Sequence, residues 1–280
     1  MIRLDDVSYA YPDAERFVLE HLDLTVEAGT ITGVVGASGA GKTTLAKIIS
    51  GFIPHVDGGS LTGAVSVGGR DLAGVSLAEA VTQVGLVIQN PFNQISGARF
   101  TVRGEIAFGM ENVGTPRAEM AERVAEVAAL LRIEHLLDRS PYALSGGQQQ
   151  LVAIASMIVL RTPVLVMDEP TSQLDPAGTR MVFGVLARLR EAGTTIVIFE
   201  HKLELLHDHA DRLHALAGRR IAASGTPTEL LADPRTEEWG VGATRFTRAG
   251  RLARERGLLP AGAAVPVSFA QAAESFGRAR

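Results

Sequence analysis

Gly36-Ala37-Ser38-Gly39-Ala40-Gly41-Lys42-Thr43 decides how the rest of the chain is read. Before it stands Ile31–Val35, a short run that reads as a buried strand. After it come Leu45, Ile48 and Ile49, an apolar stripe at helical spacing, with Gly51 placed to end the helix. A strand turning through glycines into a helix lets backbone N–H groups point inward around phosphate oxygens, and the helix N-terminus adds a positive field. Gly36, Ser38, Gly39, Ala40, Gly41 and Thr44 are therefore candidate nucleotide contacts. Lys42 is expected to reach the β- and γ-phosphates of ATP, and Thr43 to offer its hydroxyl to Mg²⁺. A chance glycine-rich turn followed by Lys-Thr explains the flanking strand and helix less well.

Outward from this loop, Val84–Ile88, Val164–Met167 and Thr195–Phe199 are short Val- and Ile-rich runs without polar alternation. That is the signature of strands covered on both faces. Helical patterns lie between them. Thr115-Pro116 opens one, with Pro at its first helical position and Met120, Val124, Val127 and Leu131 on one side. Val182, Val185, Leu186 and Leu189 mark another that closes at Gly193. Strands alternating with helices predict an α/β fold with a largely parallel sheet. The stretch 91–160 is mostly helical and reads as an inserted helical lobe. Residues 236–280 read as an appendage, helical or partly disordered, whose Arg245, Arg248, Arg251, Arg254 and Arg256 form a solvated basic surface.

Composition narrows the function. The formal net charge of −4 leaves no basic footprint for a nucleic-acid backbone. With no cysteine in the chain, disulfides, thiolate metal sites and cysteine nucleophiles are excluded. The start, Met1-Ile-Arg-Leu-Asp-Asp6, lacks the apolar run of a signal peptide. The longest apolar stretch, Leu151–Leu160, is shorter than the roughly 20 residues of a spanning helix, so any action at a membrane is expected to run through a partner.

Pro163-Val-Leu-Val-Met-Asp168-Glu169 is an apolar strand ending in two carboxylates, at the sheet edge where such folds bind ligands. Asp168 is expected to hold Mg²⁺ and Glu169 to polarise the attacking water. Leu144-Ser145-Gly146-Gly147-Gln148 reads first as a helix start, because Ser145 and Gln148 stand at capping-box spacing. The same geometry leaves free N–H groups and a positive dipole end for a phosphate arriving from outside. His207, His209, Asp211 and His214 are grouped on an expected helix, but Leu203, Leu206, Leu213 and Leu216 supply an ordinary buried stripe there, which disfavours a metal site.

The pentapeptide 144–148, together with the loop and the carboxylate strand, resembles the signature of ABC ATPases, and the resemblance covers residues 2 to 230. It implies a P-loop NTPase (RecA-like) core, an N-terminal antiparallel β subdomain and an inserted α-helical subdomain, within an ATPase domain spanning 1–235. It further implies that an aromatic stacks on adenine, with Tyr11 the best match and Tyr9 the alternative. Gln89 is similar to the glutamine that touches Mg²⁺ or the attacking water. Ser172-Gln-Leu-Asp175 resembles the loop that crosses the dimer interface, and His201 the histidine that contacts the γ-phosphate. Ser145, Gly147 and Gln148 would then act on the nucleotide of a second ABC ATPase subunit. Leu151 stands where many relatives carry Arg, and Glu200 where many carry Thr.

Val87-Ile-Gln89-Asn-Pro-Phe-Asn-Gln94-Ile, Ser50-Gly-Phe-Ile-Pro-His55 and Phe199-Glu-His201-Lys-Leu-Glu are similar to energy-coupling factor (ECF) importer ATPases. That likeness implies uptake of a vitamin or related micronutrient. Its implied partners are a transmembrane coupling protein and a substrate-binding membrane protein, at the cytoplasmic face of the cell membrane. The alternative is a soluble ABC ATPase of an assembly or repair system. A repair clamp would need coiled-coil arms or a basic groove, and the sequence offers neither.

Overall fold

The computed structural model describes residues 1–72, 74–259 and 262–277. Of the appendage expected at 236–280, residues 260–261 and 278–280 lie outside the described residues. The chain opens with strands β1 (Ile2–Ala10) and β2 (Leu19–Val26), then β3 (Ile31–Val35) and, past the glycine loop, helix α1 (Lys42–Ile49). A short turn α2 (Phe52–His55) leads to strands β4 (Ser60–Val67) and β5 (Arg70–Asp71), helix α3 (Leu77–Gln83) and strand β6 (Val84–Val87). Three helices follow without a strand between them: α4 (Val102–Asn112), α5 (Arg117–Leu130) and α6 (Gly146–Ile158). The alternation resumes with β7 (Val164–Asp168), α7 (Pro176–Glu191), β8 (Thr195–Phe199), α8 (Leu203–His209), β9 (Arg212–Ala217), β10 (Arg220–Gly225) and α9 (Pro227–Ala232). Helices α10 (Arg245–Glu255) and α11 (Phe269–Gly277) close the described chain.

The strands form two sheets, an antiparallel β2-β1-β4-β5 and a six-stranded β10-β9-β3-β8-β7-β6. In the larger sheet every pairing is parallel except β10 with β9. Every residue of β3, β6, β7 and β8 is buried, which is why these segments are apolar without alternation. One face packs on α4–α7 through Phe183, Val152, Ile154 and Met167; the other packs on α1 and the antiparallel sheet through Leu45, Ile48, Tyr9 and Phe199. The glycine loop thus leaves the sheet between two cores, each buttressed by side chains worth about 1.5–3 kcal/mol of burial apiece. Deep packing on both faces fixes the loop's position before any ligand arrives.

Three sequence expectations need correction. Val84 opens a strand that stops at Val87, because the Ile88 N–H turns to the Gln94 side chain instead of the sheet. Pro116 is the N-cap of α5, at ψ 140°, and the helix begins one residue later. The expected helix through Asp211 and His214 ends at His209; Leu213 and Leu216 lie on β9, where both faces are covered. The histidines accordingly disperse: His207 bonds to Asp208 and Thr228, His209 packs on Phe183, and His214 bonds to Ser224.

His214 makes a pH prediction. Its Nδ1 lies 2.7 Å from Ser224 Oγ, its Nε2 has no partner, and burial, helped by Arg212, pushes its pKa down to about 4. The unfolded chain takes up this proton below about 6.5 while the folded chain refuses it. Stability is therefore intact above about pH 6.5 and falls toward pH 4, by up to about 3 kcal/mol from this group. Urea unfolding of the native chain and of His214→Asn between about pH 7.5 and pH 5 should show a shallower loss in the variant. Equal slopes would remove His214 as a source of acid sensitivity.

Candidate nucleotide site

The loop between β3 and α1 is shaped by its glycines. Gly41 holds φ 101°, and a Cβ there would stand 2.9 Å from Leu19 Cδ2, so no other residue could start α1 at this point without strain. Ser38 and Gly39 form the exposed tip, and Ala40 turns the chain back through its N–H to the Ala37 carbonyl at 3.2 Å. Lys42 is buried, and its Nζ donates to the carbonyls of Gly36 at 3.0 Å and Ala37 at 2.9 Å. Its ammonium bridges the loop from inside. Burial lowers its pKa, while Glu169 and Asp168 oppose that shift.

Asp168 ends β7 and faces this loop. Its Oδ2 accepts a hydrogen bond from Thr43 Oγ1 at 2.6 Å, and its Oδ1 is buried with no partner. Desolvation raises the Asp168 pKa, Thr43 pulls it down, and the neighbouring Glu169 adds to the rise. A buried carboxylate oxygen with no hydrogen-bond partner, beside a hydroxyl, is a hard oxygen donor set that suits a divalent cation.

Glu169 stands just past the strand at φ 46°, a conformation that costs a non-glycine residue roughly 1–3 kcal/mol. Its N–H is anchored to the Phe199 carbonyl at 2.9 Å. The side chain is held from two sides, by Gln89 Nε2 at 2.8 Å and His201 Nε2 at 3.1 Å. Gln89 lies two residues beyond β6, Glu169 one beyond β7 and His201 two beyond β8, so three neighbouring strands deliver residues just past the sheet to one point. The loop that follows Gln89 is closed by Gln94, which accepts from Ile88 N–H at 3.0 Å and donates to Leu86 O at 3.1 Å.

Of the two candidate aromatics, Tyr9 is fully buried, donates to Gly58 O at 3.0 Å and has its pKa pushed up to about 12 by burial. Tyr11 is partly exposed beside the phosphate loop, its hydroxyl 3.1 Å from Thr44 Oγ1. The difference in exposure favours Tyr11 over Tyr9 as the aromatic open to a ligand. Ser145 is the N-cap of α6 and forms the full capping box with Gln148. Gly147 packs against Gln173, and Asp175 caps α7 by accepting from Gly178 N–H at 2.6 Å. Among the described residues, the hydrogen bonds of Ser145 and Gln148 join them to each other and to their own helix, not to the phosphate loop. One chain therefore assembles the loop, the carboxylates, Gln89, Tyr11 and His201, while Ser145 and Gln148 are bonded within their own helix start.

The structure gives contacts to residues that sequence reading left without a role. Glu200 is buried and bonded to both neighbouring turns, and Lys202 Nζ reaches Thr171 O at 2.9 Å and Thr179 Oγ1 at 3.1 Å. The signal for Glu200 was present, as a carboxylate directly after an all-apolar strand. Gly240, in the appendage, presses on the phosphate loop so closely that a Cβ there would stand 2.6 Å from that of Ala37. Nothing in its local sequence announces that contact. The arginines of the appendage are partly engaged, Arg245 with Glu204 at 2.9 Å and Arg251 with Glu237 at 2.8 Å.

A phosphate loop at the carboxyl edge of a parallel sheet, facing a carboxylate pair and a histidine, defines a P-loop nucleoside-triphosphatase with an inserted helical subdomain. The family described as ABC transporter matches residues 19–172. The chain is 37% identical over 261 residues to an ABC transporter ATP-binding protein of Pyrococcus horikoshii, covering 92% of this chain and 91% of that one. A Streptomyces avermitilis protein of the same description is 42% identical over 83% of this chain, which spans 41% of that longer protein. Among solved structures, cbiO1 from Clostridium perfringens, part of the ABC transporter complex cbiONQ, superposes with a TM-score of 0.74 at 27% identity. That match covers 90% of this chain and 98% of the other. The chain belongs to the ABC transporter family, as an ATP-hydrolysing subunit of a transporter.

Proposed function

We propose that this subunit, seated at the cytoplasmic face of the membrane, powers an ECF-type importer that takes up a vitamin or related micronutrient. The observation that carries the reading is the superposition on cbiO1, whose 90% coverage of this chain runs beyond the cassette into the C-terminal appendage. The Gln94-closed loop after Gln89 supports it, because it builds the very segment whose sequence resembles ECF ATPases.

The residues fit Mg²⁺: the Thr43 hydroxyl, the Gln89 amide oxygen and the partnerless Oδ1 of Asp168 are hard oxygen donors. Bound there, the ion would neutralise charge on the β- and γ-phosphate oxygens. The chain's own groups do the rest. The N–H groups from Gly36 to Thr44 cradle the phosphates, Lys42 trades the Gly36 and Ala37 carbonyls for phosphate oxygens, and Tyr11 stacks on the base. Glu169, fixed between Gln89 and His201, accepts a proton from the attacking water, and His201 donates to the γ-phosphate.

Ser145 and Gly147 complete the site of a second ATPase subunit, so turnover requires two cassettes face to face. Ser145→Arg should cut turnover by about 10²-fold or more while ATP affinity of the isolated subunit changes little, because a bulky cation replaces the donor end of α6. Paired stopped-flow binding and phosphate-release assays check this; a matching fall in affinity would mean that Ser145 acts within its own chain.

Exposed aromatic and apolar surface near Gln94 supports a membrane partner at this face. Among the described residues, no helix is long and apolar enough to cross a membrane. Phe92, Phe100 and Tyr142 are 57%, 92% and 54% exposed, with the Phe92 and Tyr142 rings 6.2 Å apart edge to face. Beside Gln94 runs an apolar groove between the sheet and the helical insertion, lined by Phe52, Val81, Ile88, Val113, Met157 and Leu160. The test is to purify the tagged subunit from its native membranes in mild detergent and identify its companions. A coupling membrane protein with a small substrate-binding one supports the importer. Soluble companions alone, with ATPase activity intact, would favour the assembly ATPase instead.

A further inference from the structure

The sheet ladder between β7 and β8 ends at the pair Asp168 and Phe199. The Glu169 N–H adds one more backbone bond, to the Phe199 carbonyl at 2.9 Å, but His201 stands beyond it, and side chains must tie its turn to that of Glu169. Glu200, 3% exposed, lies between those turns. One carboxylate oxygen, Oε1, accepts a short hydrogen bond from Thr171 Oγ1, on the turn that carries Glu169. The other, Oε2, accepts from the backbone N–H groups of His201 at 2.8 Å and Lys202 at 3.2 Å. Thr171 is itself fully buried, and Lys202 closes the ring by donating to the Thr171 carbonyl at 2.9 Å.

We propose that Glu200 is a positioning residue for ATP hydrolysis, a side-chain clasp that continues the β7–β8 ladder and holds His201 within bonding reach of Glu169. The inference rests on the roles proposed above for Glu169 and His201. The physical case is one of directed bonds. A small apolar side chain at 200 leaves the Thr171 hydroxyl and two backbone N–H groups without their acceptor in a buried setting. The two turns then relax apart, and a shift of about 1 Å between proton acceptor and phosphate-facing imidazole is enough to cost about 10²-fold in rate. The phosphate loop, Tyr11 and Lys42 make no hydrogen bond to this clasp, so ATP binding is left alone. A glutamine at 200 can preserve the pattern, its amide oxygen accepting both N–H groups and its NH₂ donating to Thr171.

The experiment measures kcat, ATP affinity and melting temperature of the purified full chain carrying Glu200→Ala, Glu200→Gln or Thr171→Val, with Glu169→Gln and His201→Ala alongside. Glu200→Ala should lower kcat about 10²-fold with ATP affinity within about threefold of native, and Glu200→Gln should restore kcat to within about fivefold. Thr171→Val should lose about tenfold, and the Thr171→Val/Glu200→Ala pair no more than Glu200→Ala alone, since both cut one linkage. Native kcat in Glu200→Ala, a parallel fall of affinity and kcat, or no rescue by Gln would each overturn the proposal. If Glu200→Ala does not fold, the comparison of Glu200→Gln with Thr171→Val decides, and native kcat in Thr171→Val overturns it. Native turnover in Glu169→Gln and His201→Ala would instead sink the site assignment itself. Their inactivity beside a fully active Glu200→Ala would sink the clasp alone.

Discussion

Glu169→Gln is expected to bind MgATP with nearly native affinity and to hydrolyse it about 10³-fold more slowly. The expectation follows from what the carboxylate touches. Glu169 is held by side chains delivered from β6 and β8, Gln89 at 2.8 Å and His201 at 3.1 Å, and its backbone is fixed to Phe199. None of these contacts involves the phosphate loop, the proposed nucleotide cradle, which Lys42 bridges through the Gly36 and Ala37 carbonyls. An amide keeps the volume and most of the hydrogen bonds of the carboxylate but cannot take a proton from water. With binding intact and turnover stopped, ATP should hold two subunits together, and size-exclusion chromatography should show a dimer with ATP that native protein loses as it hydrolyses. A turnover rate within about tenfold of native would remove Glu169 as the proton acceptor and shift attention to His201.

The parts of this molecule that the sequence announces are those whose chemistry is local. β3, β7 and β8 are legible because burial on both faces demands unbroken apolar runs, and the phosphate loop because left-handed turns admit little besides glycine. The capping box at Ser145 and Gln148 is equally local. β9 is misread as helix because a strand covered on both faces has no period-two pattern, and Leu213 and Leu216 happen to sit at helical spacing from Leu206. What brings Gln89, Glu169 and His201 together is sheet order, β8-β7-β6, a tertiary fact that no short window contains. Their roles enter through resemblance; their convergence enters through the structure. The link from Glu200 to Thr171 and the contact of Gly240 escaped for the same reason: Thr171 is on the neighbouring turn, and the partner of Gly240 is Ala37, some 200 residues earlier in the chain.

Lys42→Ala is expected to lose ATP far more than it loses AMP. The ammonium donates to the Gly36 and Ala37 carbonyls, both of which belong to the loop it serves. A γ- or β-phosphate oxygen arriving there competes with two neutral carbonyls for a buried cation. It wins because a hydrogen bond between full charges is roughly twice as strong as one to a neutral acceptor. At about 1.5–3 kcal/mol for each charge-assisted bond, two of them give about 10²- to 10⁴-fold weaker ATP binding when the ammonium is removed. AMP has neither a β- nor a γ-phosphate, so its affinity should change by no more than about threefold. The loop also loses its internal bridge, the Gly36 carbonyl losing its Lys42 donor while the Ala37 carbonyl keeps the Ala40 N–H, which should lower unfolding stability by about 1–3 kcal/mol. Titrating a fluorescent ATP analogue, competed in turn by ATP, ADP and AMP, separates the two effects. A loop that has merely collapsed weakens all three nucleotides alike. A missing phosphate contact weakens ATP and ADP and spares AMP, because only a direct charge on the outer phosphates can make that distinction.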